Sequence, residues 1–464
     1  MFLSIEKANE NATVALQEDG ISLSYGELTS FCGEITEIIP SRTLIFSLCQ
    51  NSIASLAGYV AFLSGHIVPL LLSAQLDDEL LADLLETYEP NYIWLPMERK
   101  TEFSGKCVLE KYGYALVEYS QVQKEMAEEL ALLLTTSGST GSPKLVRQSY
   151  SNIDANARSI AEYLELDETE RPITMLPMNY TYGLSVINSH LLIGATILMT
   201  EASYAQRRFW DFFMKEKATS IVGVPYTYEI LKKLKFFRMD LPSLRYMTQA
   251  GGKLLPELHK EFAEYAEKTG KRFYVMYGQT EATARMSYLP YQKSLEKYGS
   301  MGIAIPGGKF HLVDVDGSDI IAPQVTGELV YEGPNVTLGY AECLEDLAKG
   351  DERHGVLVTG DMAQMDKEGY YYIVGRKKRF LKIFGNRVNL DECERMIQGQ
   401  FAETECACVG VDDHMKIYVN KEADMEAVKH FIVGKTGLNA AAFEVIYIAE
   451  IPKNDSGKKQ YNLL

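Results

Sequence analysis

A loop rich in hydroxyl groups and glycine follows an apolar run and ends in a lysine. The apolar run is Leu132-Leu133-Leu134, and the loop continues as Thr135-Thr136-Ser137-Gly138-Ser139-Thr140-Gly141-Ser142-Pro143-Lys144. Glycine lets the backbone take positive φ and come close to a ligand. Successive N–H groups and hydroxyls then form a concave donor surface for phosphate oxygens, to which the lysine adds charge. The segment therefore predicts a phosphate-binding loop.

Two other interpretations of this loop need different residues. A Walker-type nucleotide loop would read GxxxxGK[ST], but Pro143 stands between the last glycine and Lys144. A flexible Ser/Gly surface linker would need neither a strand before it nor a lysine at its end. Phosphate binding is favoured over both.

A second polar segment, Tyr277-Gly278-Gln279-Thr280-Glu281, follows another apolar run. A carboxylate suits a hard cation such as Mg²⁺, which completes its coordination with phosphate and water. The alternative role for Glu281 is that of an acid at a helix N-terminus. Ala250-Gly251-Gly252-Lys253-Leu254 and Thr359-Gly360-Asp361 are further polar loops, and each alone would be an ordinary turn.

Together these segments resemble the adenylate-forming superfamily of acyl-CoA synthetases, aryl-CoA ligases, luciferases and peptide-synthetase adenylation domains. Thr136–Lys144 matches the family's TSGSTGxPK motif, Tyr277–Glu281 matches YGxTE, and Thr359–Asp361 matches TGD. Other segments follow in the family's order: Gly299–Gly307, Gly327-Glu328-Leu329, Gly375-Arg376, Phe380–Val388 with Glu394 after it, and Pro452–Lys458. The resemblance extends from about Leu23 to Lys458.

The resemblance implies a role for each matching residue. Tyr277 would stack on adenine, Thr280 would bond phosphate, Glu281 would hold Mg²⁺, and Lys458 would be the catalytic lysine of adenylation. Asp361 and Arg376 would hold the ribose, and Lys378 falls at the family's domain hinge. The implied ATP site comprises Thr136, Ser137, Gly138, Ser139, Thr140, Gly141, Lys144, Gly251, Gly252, Lys253, Tyr277, Gly278, Asp361 and Arg376.

The implied reaction is an AMP-forming ligation of a carboxylic acid to a thiol. ATP converts the acid into an acyl-adenylate with release of pyrophosphate, and the acyl group then forms a thioester with CoA. A stand-alone adenylation enzyme that loads the phosphopantetheine of a carrier protein is the alternative, towards which the strand Lys382–Val388 leans slightly. A remote alternative is an inactive nucleotide-binding scaffold, which intact Glu281, Asp361, Arg376 and Lys458 disfavour.

The family's substrate-lining segment here reads Leu176-Pro177-Met178-Asn179-Tyr180-Thr181-Tyr182-Gly183-Leu184. Tyr180 stands at the histidine of acyl- and aryl-CoA ligases, and Thr181 stands where relatives that activate α-amino acids carry an aspartate. Because an uncompensated buried ammonium is costly, an α-amino acid is disfavoured. The pocket candidates Tyr180, Thr181 and Tyr226, together with Tyr182, would suit a flat or apolar acid.

Alternating strands and helices must position these residues. Thr43–Leu48, Tyr92–Leu95, Ile197–Thr200, Ser220–Val224 and Arg245–Gln249 read as buried strands, and Asp77–Tyr88 and Pro256–Thr269 show helical spacing. This pattern predicts an α/β fold with parallel-rich sheets and flanking helices. Phe310–Tyr340 predicts a β-rich subdomain. We expect a large N-terminal adenylation domain over residues 1–374 and a small, mobile α+β domain over residues 375–464.

The composition is that of a globular protein and limits the classes of function. A chain of 464 residues needs two or three cores, and its net charge of −17 argues against general nucleic-acid binding. We expect no signal peptide, because Met1–Glu10 is charged, and no membrane span, because the apolar stretch Ser185–Met199 is interrupted and short. Seven scattered cysteines favour the cytoplasm, and Cys406 and Cys408 read as strand residues rather than zinc ligands.

Overall fold

The chain divides into two compact units in a computed structural model, which describes residues 1–135, 144–314, 317–384, 386–453 and 459–464. The first unit comprises Met1–Lys309 and Tyr331–Leu357, and the second comprises Phe310–Val330 and Val358–Leu464. The domain boundary expected at residues 374 and 375 lies inside the second unit and stays a prediction.

The strands are β1 (Thr13–Gln17), β2 (Ser22–Ser24), β3 (Leu44–Cys49), β4 (Val68–Ser73), β5 (Tyr92–Pro96), β6 (Cys107–Lys111), β7 (Tyr114–Glu118), β8 (Leu130–Thr135), β9 (Leu145–Ser149), β10 (Ile197–Met199), β11 (Ser220–Gly223), β12 (Tyr246–Gln249), β13 (Arg272–Tyr277), β14 (Ser287–Tyr288), β15 (Ile303–Ala304), β16 (Lys309–Val313), β17 (Gly327–Glu332), β18 (Gly339–Ala341), β19 (Val356–Met365), β20 (Tyr371–Arg376), β21 (Phe380–Ile383), β22 (Asn386–Asn389), β23 (Cys406–Val411), β24 (His414–Val419) and β25 (Phe443–Tyr447). The helices are α1 (Tyr25–Ile38), α2 (Ile53–Ser64), α3 (Asp78–Tyr88), α4 (Tyr150–Leu164), α5 (Thr181–Leu192), α6 (Arg207–Lys215), α7 (Pro225–Lys233), α8 (Pro256–Thr269), α9 (Leu390–Gln400) and α10 (Met425–Thr436).

An eight-stranded sheet with the order β18-β9-β8-β4-β3-β5-β7-β6 is the largest sheet of the first unit. Strands β3, β4, β5 and β8 pair in parallel, and the outer strands pair antiparallel. Every residue of Leu44–Cys49 is buried, as expected for a central strand covered on both faces. One end of this sheet brings β18 beside β9, the strand that follows Lys144.

A five-stranded sheet has the order β11-β12-β13-β14-β15, and the loops after β12 and β13 contain predicted site residues. Its first three strands are parallel, with Gly223 opposite Gln249 and Gln249 opposite Val275. The carboxyl ends of parallel strands therefore meet at one edge, where α/β proteins commonly bind ligands. A third sheet of the first unit has the order β10-β1-β2.

The second unit contains a β-rich part and an α+β part. Strands β16, β17, β19 and β20 form a four-stranded sheet whose residues lie largely in this unit. Beyond it come the hairpin β21-β22 and the sheet β23-β24-β25. Helices α9 and α10 contribute Ile397, Val428 and Ile432 to a core shared with Cys408 and Ile417 of these strands.

Most of the predicted elements are present with shifts of one or two residues. Helix α8 has the predicted bounds, because Pro256 starts it and Gly270 ends it at a φ of 66°. Asp77 is the N-cap of α3 rather than its first residue. Cys406 and Cys408 lie on β23 as predicted, and all seven cysteines are free. Over the described ranges, no helix is both long enough and apolar enough to cross a membrane.

Candidate active site

The loop after β12 is a glycine turn held by the strand's own last side chain. Gln249 Nε2 donates to the carbonyl oxygens of Ala250 at 3.1 Å and Gly252 at 2.9 Å. Gly251 has a φ of 80°, and a Cβ atom there would lie 2.6 Å from the hydroxyl of Tyr180. The predicted residue Gly251 therefore packs closely against the predicted pocket residue Tyr180, whereas Gly252 faces Pro225. Lys253 is exposed.

The end of β13 and the loop after it contain the predicted residues Tyr277–Glu281. A Cβ atom on Gly278 would lie 1.8 Å from the carbonyl oxygen of Ala284, so only glycine fits. Gln279 Nε2 donates to the hydroxyl of Tyr277 at 3.0 Å. Thr280–Ala282 then form a short 3-10 turn, which places Glu281 just beyond the edge of the parallel sheet.

A strained turn centred on Thr283 follows Glu281. Thr283 has a φ of 63° and a ψ of −58°, and the N–H of Ala284 donates to the carbonyl oxygen of Ala282 at 2.7 Å. This γ-turn conformation is rare for a β-branched residue and needs support from its surroundings. Thr283 Oγ1 donates to the carbonyl oxygen of Asn335 at 2.7 Å, and Thr181 Oγ1 donates to the carbonyl oxygen of Thr283. The predicted pocket residue Thr181 therefore helps to hold the turn.

The Glu281 carboxylate is oriented by a tyrosine from β18. The hydroxyl of Tyr340 donates to Glu281 Oε1 at 2.8 Å. Burial, with the nearby Glu281 charge, raises the pKa of Tyr340 to about 12, so this hydroxyl stays a donor at neutral pH. The backbone oxygen of Glu281 accepts from Thr337 Oγ1 and Arg353 Nη1, both at 2.9 Å.

Two cations lie against the ring of Tyr340. Lys144 Nζ is 3.9 Å from the ring centroid, and the Arg353 guanidinium carbon is 4.5 Å from it. Lys144 also pairs with Glu342 at 3.0 Å. A carboxylate with two adjacent cations is a local arrangement that suits a metal-bound polyphosphate.

The residues present fit Mg²⁺ carried by a phosphate ligand. No group of three or more His, Cys, Asp or Glu side chains that could hold a metal ion occurs in the ranges that the structure describes. Glu281 can offer one carboxylate, and Mg²⁺ is often held by one or two carboxylates together with substrate phosphates and water.

Sequence reasoning missed Tyr340, Arg353, Thr337 and Asn335. Their position depends on the antiparallel pairing of β18 with β9, in which Tyr340 lies opposite Val146. The only signal was the pair Gly339-Tyr340 shortly after a polar run, and 29 tyrosines make such a pair uninformative.

The predicted acid pocket is lined by tyrosines on and beside α5. Tyr180 is the N-cap of this helix, and burial raises its pKa to about 12. Its ring lies 6.4 Å from that of Tyr182, whose hydroxyl bonds Thr248 Oγ1 at 2.9 Å. Tyr226, in the first turn of α7, is 49% exposed. Tyr180 and Tyr182 are thus in contact, while Tyr226 lies at the surface.

The predicted ribose residues are brought together in the second unit. Asp361 on β19 lies opposite Arg376 on β20, and Arg376 Nε is 2.7 Å from Asp361 Oδ1. Asp361 is buried, whereas Arg376 is exposed. The N–H of Asp361 donates to Thr359 Oγ1 at 3.0 Å, which fixes the TGD turn.

Some predicted residues cannot be placed. Thr136, Ser137, Gly138, Ser139, Thr140 and Gly141 of the loop, and Lys458, lie outside the described residues. Lys378 is part of a short 3-10 turn, Lys377–Arg379, and its side chain is not described.

The residue after Lys458 is anchored in a partly buried charge cluster around Glu394. Lys459 Nζ donates to Glu394 Oε2 and to the carbonyl oxygen of Cys406, both at 2.6 Å. Glu394 also accepts from Arg379 at 2.5 Å and from the hydroxyl of Tyr461 at 3.1 Å. Glu394 therefore fixes the chain immediately beyond the predicted catalytic lysine.

The fold and these local arrangements are compatible with the adenylate-forming enzymes, and the match to a family model confirms the predicted class. The chain belongs to the AMP-binding enzyme family, whose model matches residues 6–341.

Curated relatives match over most of the chain. A 2-succinylbenzoate–CoA ligase of Bacillus mycoides strain KBAB4 is 25% identical over 97% of this chain and 94% of its own length. An indoleacetate–CoA ligase of Aromatoleum aromaticum is 29% identical over 76% of this chain and 70% of its own. A luciferin 4-monooxygenase of Nipponoluciola cruciata is 24% identical over 78% and 69%.

Solved structures share the fold. The o-succinylbenzoate CoA synthetase of Bacillus subtilis in complex with its acyl-adenylate intermediate aligns with a TM-score of 0.81 at 21% identity, over 99% of this chain and 96% of that one. ATP-bound MatB of Rhodopseudomonas palustris aligns with a TM-score of 0.81 at 21% identity, over 100% and 97%. The predicted fold class, α/β with parallel-rich sheets, is confirmed.

Proposed function

We propose that this protein is an ATP-dependent, AMP-forming carboxylic acid–thiol ligase with CoA as its thiol acceptor. The observation that carries the proposal is the orientation of Glu281 by Tyr340, with Lys144 and Arg353 against the same ring. Membership of the AMP-binding enzyme family supports it, as do curated relatives named as CoA ligases.

The chemistry explains why such residues are needed. A carboxylate is a poor acyl donor, and its attack on the α-phosphate of ATP makes AMP the leaving group of a mixed anhydride. The obstacle is the approach of an anion to a polyanion. Mg²⁺ held at Glu281 would neutralise part of that charge. Lys144, Arg353 and the N–H and hydroxyl groups of Thr136–Gly141 would bind phosphate oxygens, and Lys458 would lie at the α-phosphate and the carboxylate.

Binding of the ribose and formation of the thioester are proposed for residues of the second unit. Asp361 and Arg376 would bind the ribose hydroxyls. Residues 375–464 would rotate about a hinge near Lys378, withdraw Lys458 after adenylation and admit the thiol. Closure steps of this kind often limit turnover. These roles rest on the resemblance to the family.

The proposed partners of the protein are a small carboxylic acid as substrate and CoA as acceptor. An α-amino acid is disfavoured, since Thr181 supplies a hydroxyl rather than a carboxylate for an ammonium and already donates to Thr283. The phosphopantetheine of a carrier protein is the alternative acceptor. The cytoplasm is the proposed compartment, because all seven cysteines are free thiols.

Acid-dependent exchange of labelled pyrophosphate into ATP tests the proposal. We expect exchange with at least one acid of a panel, and no exchange with any acid would favour the inactive scaffold. Analysis of products with CoA and with a holo-carrier protein then decides the acceptor.

Two substitutions separate the proposed roles. Lys458→Ala should abolish exchange yet spare thioester formation from supplied acyl-adenylate, whereas Glu281→Gln should lower exchange by about 10²–10³-fold. Lys421→Ala is the matched control, because Lys421 pairs with Glu403 at the surface. Equal loss of both half-reactions in Lys458→Ala would contradict the role given to Lys458.

A further inference from the structure

Arg285 is a buried arginine beside the tyrosines of the predicted acid pocket. It is 3% exposed and lies two residues beyond the strained Thr283. Its Nε donates to Ser185 Oγ at 3.1 Å, and its Nη1 donates to the hydroxyl of Tyr163 at 3.0 Å and contacts Met276 Sδ at 3.4 Å. All these partners are neutral.

The charge of Arg285 has no anionic partner within the described part of the chain. Titratable groups that act on it include three tyrosines and a histidine: Tyr163, Tyr182, Tyr246 and His190. Burial raises the pKa of each of these tyrosines, so each is a neutral hydroxyl at pH 7. Burial also lowers the pKa of His190 to about 4, so it is neutral as well. Because a guanidinium stays protonated, Arg285 is a buried and uncompensated cation.

The position of Arg285 connects it to the rest of the predicted site. Its guanidinium carbon lies 5.1 Å from the ring centroid of Tyr182. Tyr182 contacts Tyr180, and the Tyr180 hydroxyl packs on the Gly251 turn. A continuous series of contacts therefore runs from the glycine turn, through two tyrosines, to the cation.

We propose that Arg285 binds a second anionic group on the acid, so that the substrate is a dicarboxylic acid activated at one carboxylate only. This inference rests on the proposed function and names its substrate class. A carboxylate can accept two parallel hydrogen bonds from a guanidinium and cancels its charge. The tyrosine rings suit a flat acid, and the Arg285 cation requires that this acid carry a second negative charge. A purely apolar acid would leave the cation uncompensated.

Pyrophosphate exchange with matched acids tests the substrate class. Each pair would share one carbon skeleton: succinate with succinamate, adipate with hexanoate, and isophthalate with benzoate. We expect the best dicarboxylate to exceed its uncharged or monocarboxylic counterpart in kcat/KM by about 30-fold or more, as for a buried charge pair. Equal or better use of the monocarboxylates would overturn the inference.

Substitutions at Arg285 test the residue. Arg285→Met should remove the preference for dicarboxylates and leave exchange with monocarboxylates unchanged or faster. Its Tm should not fall, because a buried unpaired charge is replaced by an apolar side chain of similar length. A lower Tm with equal loss for both acids would mean a structural role only.

Two further variants guard against misfolding and side effects. Arg285→Lys keeps the charge without the planar fork, and it should retain part of the preference with a higher KM. Arg272→Met is the matched control on β13. Arg272 also lies near a tyrosine ring, at 5.6 Å from Tyr246, but it pairs with Glu165 at 3.0 Å. Its loss should not change the acid preference, and a change as large as that of Arg285→Met would contradict the assignment.

Binding without turnover separates this inference from the proposed function. Thermal-shift measurements without ATP should show that dicarboxylates stabilise the wild type and not Arg285→Met. If no acid supports exchange but this difference appears, the proposed function fails and the anion site stands. If neither exchange nor Arg285-dependent stabilisation appears, the anion site is overturned.

Discussion

Glu281 depends on side chains that come from distant segments of the chain. The Tyr340 hydroxyl fixes one carboxylate oxygen, while Thr337 and Arg353 bond its backbone oxygen. A carboxylate in a single rotamer offers a metal one defined oxygen, and it loses less conformational freedom when the metal binds. The hydroxyl of Tyr340 is therefore expected to tune metal binding without touching the reacting atoms.

The substitution Tyr340→Phe tests this dependence. The ring remains for Lys144 and Arg353, but Glu281 loses its donor. We expect pyrophosphate exchange to fall by about 10-fold, since a hydrogen bond to a charged group contributes about 1.5–3 kcal/mol, and the Mg²⁺ concentration at half-maximal exchange to rise. A magnesium titration measures both effects.

The matched control is Tyr25→Phe, which removes a buried hydroxyl bonded to the carbonyl oxygen of Ala195 at 2.9 Å. It should leave the magnesium requirement unchanged. An unchanged requirement in Tyr340→Phe as well would show that the hydroxyl does not orient the metal ligand.

The sequence predicted the residues that lie in short contiguous motifs. Glu281 stands beside its own tyrosine, glycine and threonine. Asp361 and Arg376 form an ion pair, and the ribose role that the resemblance implies for them stays a prediction. Tyr340, Arg353 and Arg285 could not be predicted, because their chemistry depends on partners brought by strand pairing and helix packing. Arg285 in particular reads as an ordinary surface charge until its burial is seen.

At the scale of elements, the turn after β13 has two special residues. One is a glycine, Gly278, whose position has no room for a side chain, and the other is a strained threonine, Thr283. Gly278 allows the carbonyl oxygen of Ala284 to approach, and this approach closes the loop that carries Glu281. The turn is thus rigid because both of its ends are fixed by close packing rather than by local propensity.

The substitution Gly278→Ala should disrupt this loop. The added Cβ would meet a backbone oxygen at 1.8 Å, so the turn must shift. We expect the free energy of unfolding to fall by about 1–3 kcal/mol. Pyrophosphate exchange should fall further than the unfolded fraction alone explains, because the loop that carries Glu281 moves. Thermal unfolding and exchange on the same preparation measure the two effects.

Gly33→Ala provides the control within the same unit. Gly33 lies inside α1 with open space around its Cβ position, so alanine should stabilise the helix by up to about 1 kcal/mol. Wild-type behaviour of Gly278→Ala would mean that the loop can relax, and the explanation of Gly278 would be wrong.

A second element, α9, depends on a single buried carboxylate. Glu394 accepts from Arg379, Lys459 and Tyr461, and also from the N–H of Cys408 at 2.8 Å. Glu394→Gln would leave the half-buried Lys459 without its carboxylate. Removing one member of a fully buried ion pair costs about 3–5 kcal/mol, and because Lys459 is 28% exposed we expect a smaller loss, seen as faster amide hydrogen exchange in β23.

Glu392→Gln, two residues earlier on the same helix, is the control for Glu394→Gln. Glu392 pairs with Arg395 at the surface, where an ion pair contributes about 0–1 kcal/mol. Equal protection of the β23 amides in both variants would show that the Glu394 cluster adds little to the stability of this part.

At the scale of the whole molecule, the periodicity of the chain predicted the strands and helices but not how they group. By contact, residues 310–330 and 358–374, which the prediction assigned to the N-terminal domain, group with residues 375–464, and the predicted boundary at residues 374 and 375 stays a prediction. Grouping depends on contacts between segments far apart in sequence, which composition and spacing do not contain.

Two buried histidines should make the stability of the first unit depend on pH. The Nδ1 atom of His259 accepts from the N–H of Gly299 at 3.0 Å, and its Nε2 contacts Ser294 Oγ at 3.0 Å. His190 Nδ1 lies 2.7 Å from the carbonyl oxygen of Val186, with Tyr246 OH at 3.0 Å from Nε2. Burial lowers the pKa of both from 6.5 to about 4. The folded protein therefore holds both imidazole rings in their neutral form.

The sign of the effect follows from these two values. Below pH 6.5 the unfolded chain takes up a proton at each histidine, while the folded chain takes it up only near pH 4. Stability that is present above pH 6.5 is therefore lost as the pH falls towards 4, by about 3 kcal/mol for each histidine.

His259→Asn keeps an acceptor for Gly299 but cannot titrate, so its Tm should be lower at pH 7.5 and should fall less between pH 6.5 and 4. His414→Asn, at an exposed position on β24, should leave the profile of the wild type unchanged. Parallel profiles for the wild type and His259→Asn would mean that the carboxylates alone cause the acid instability.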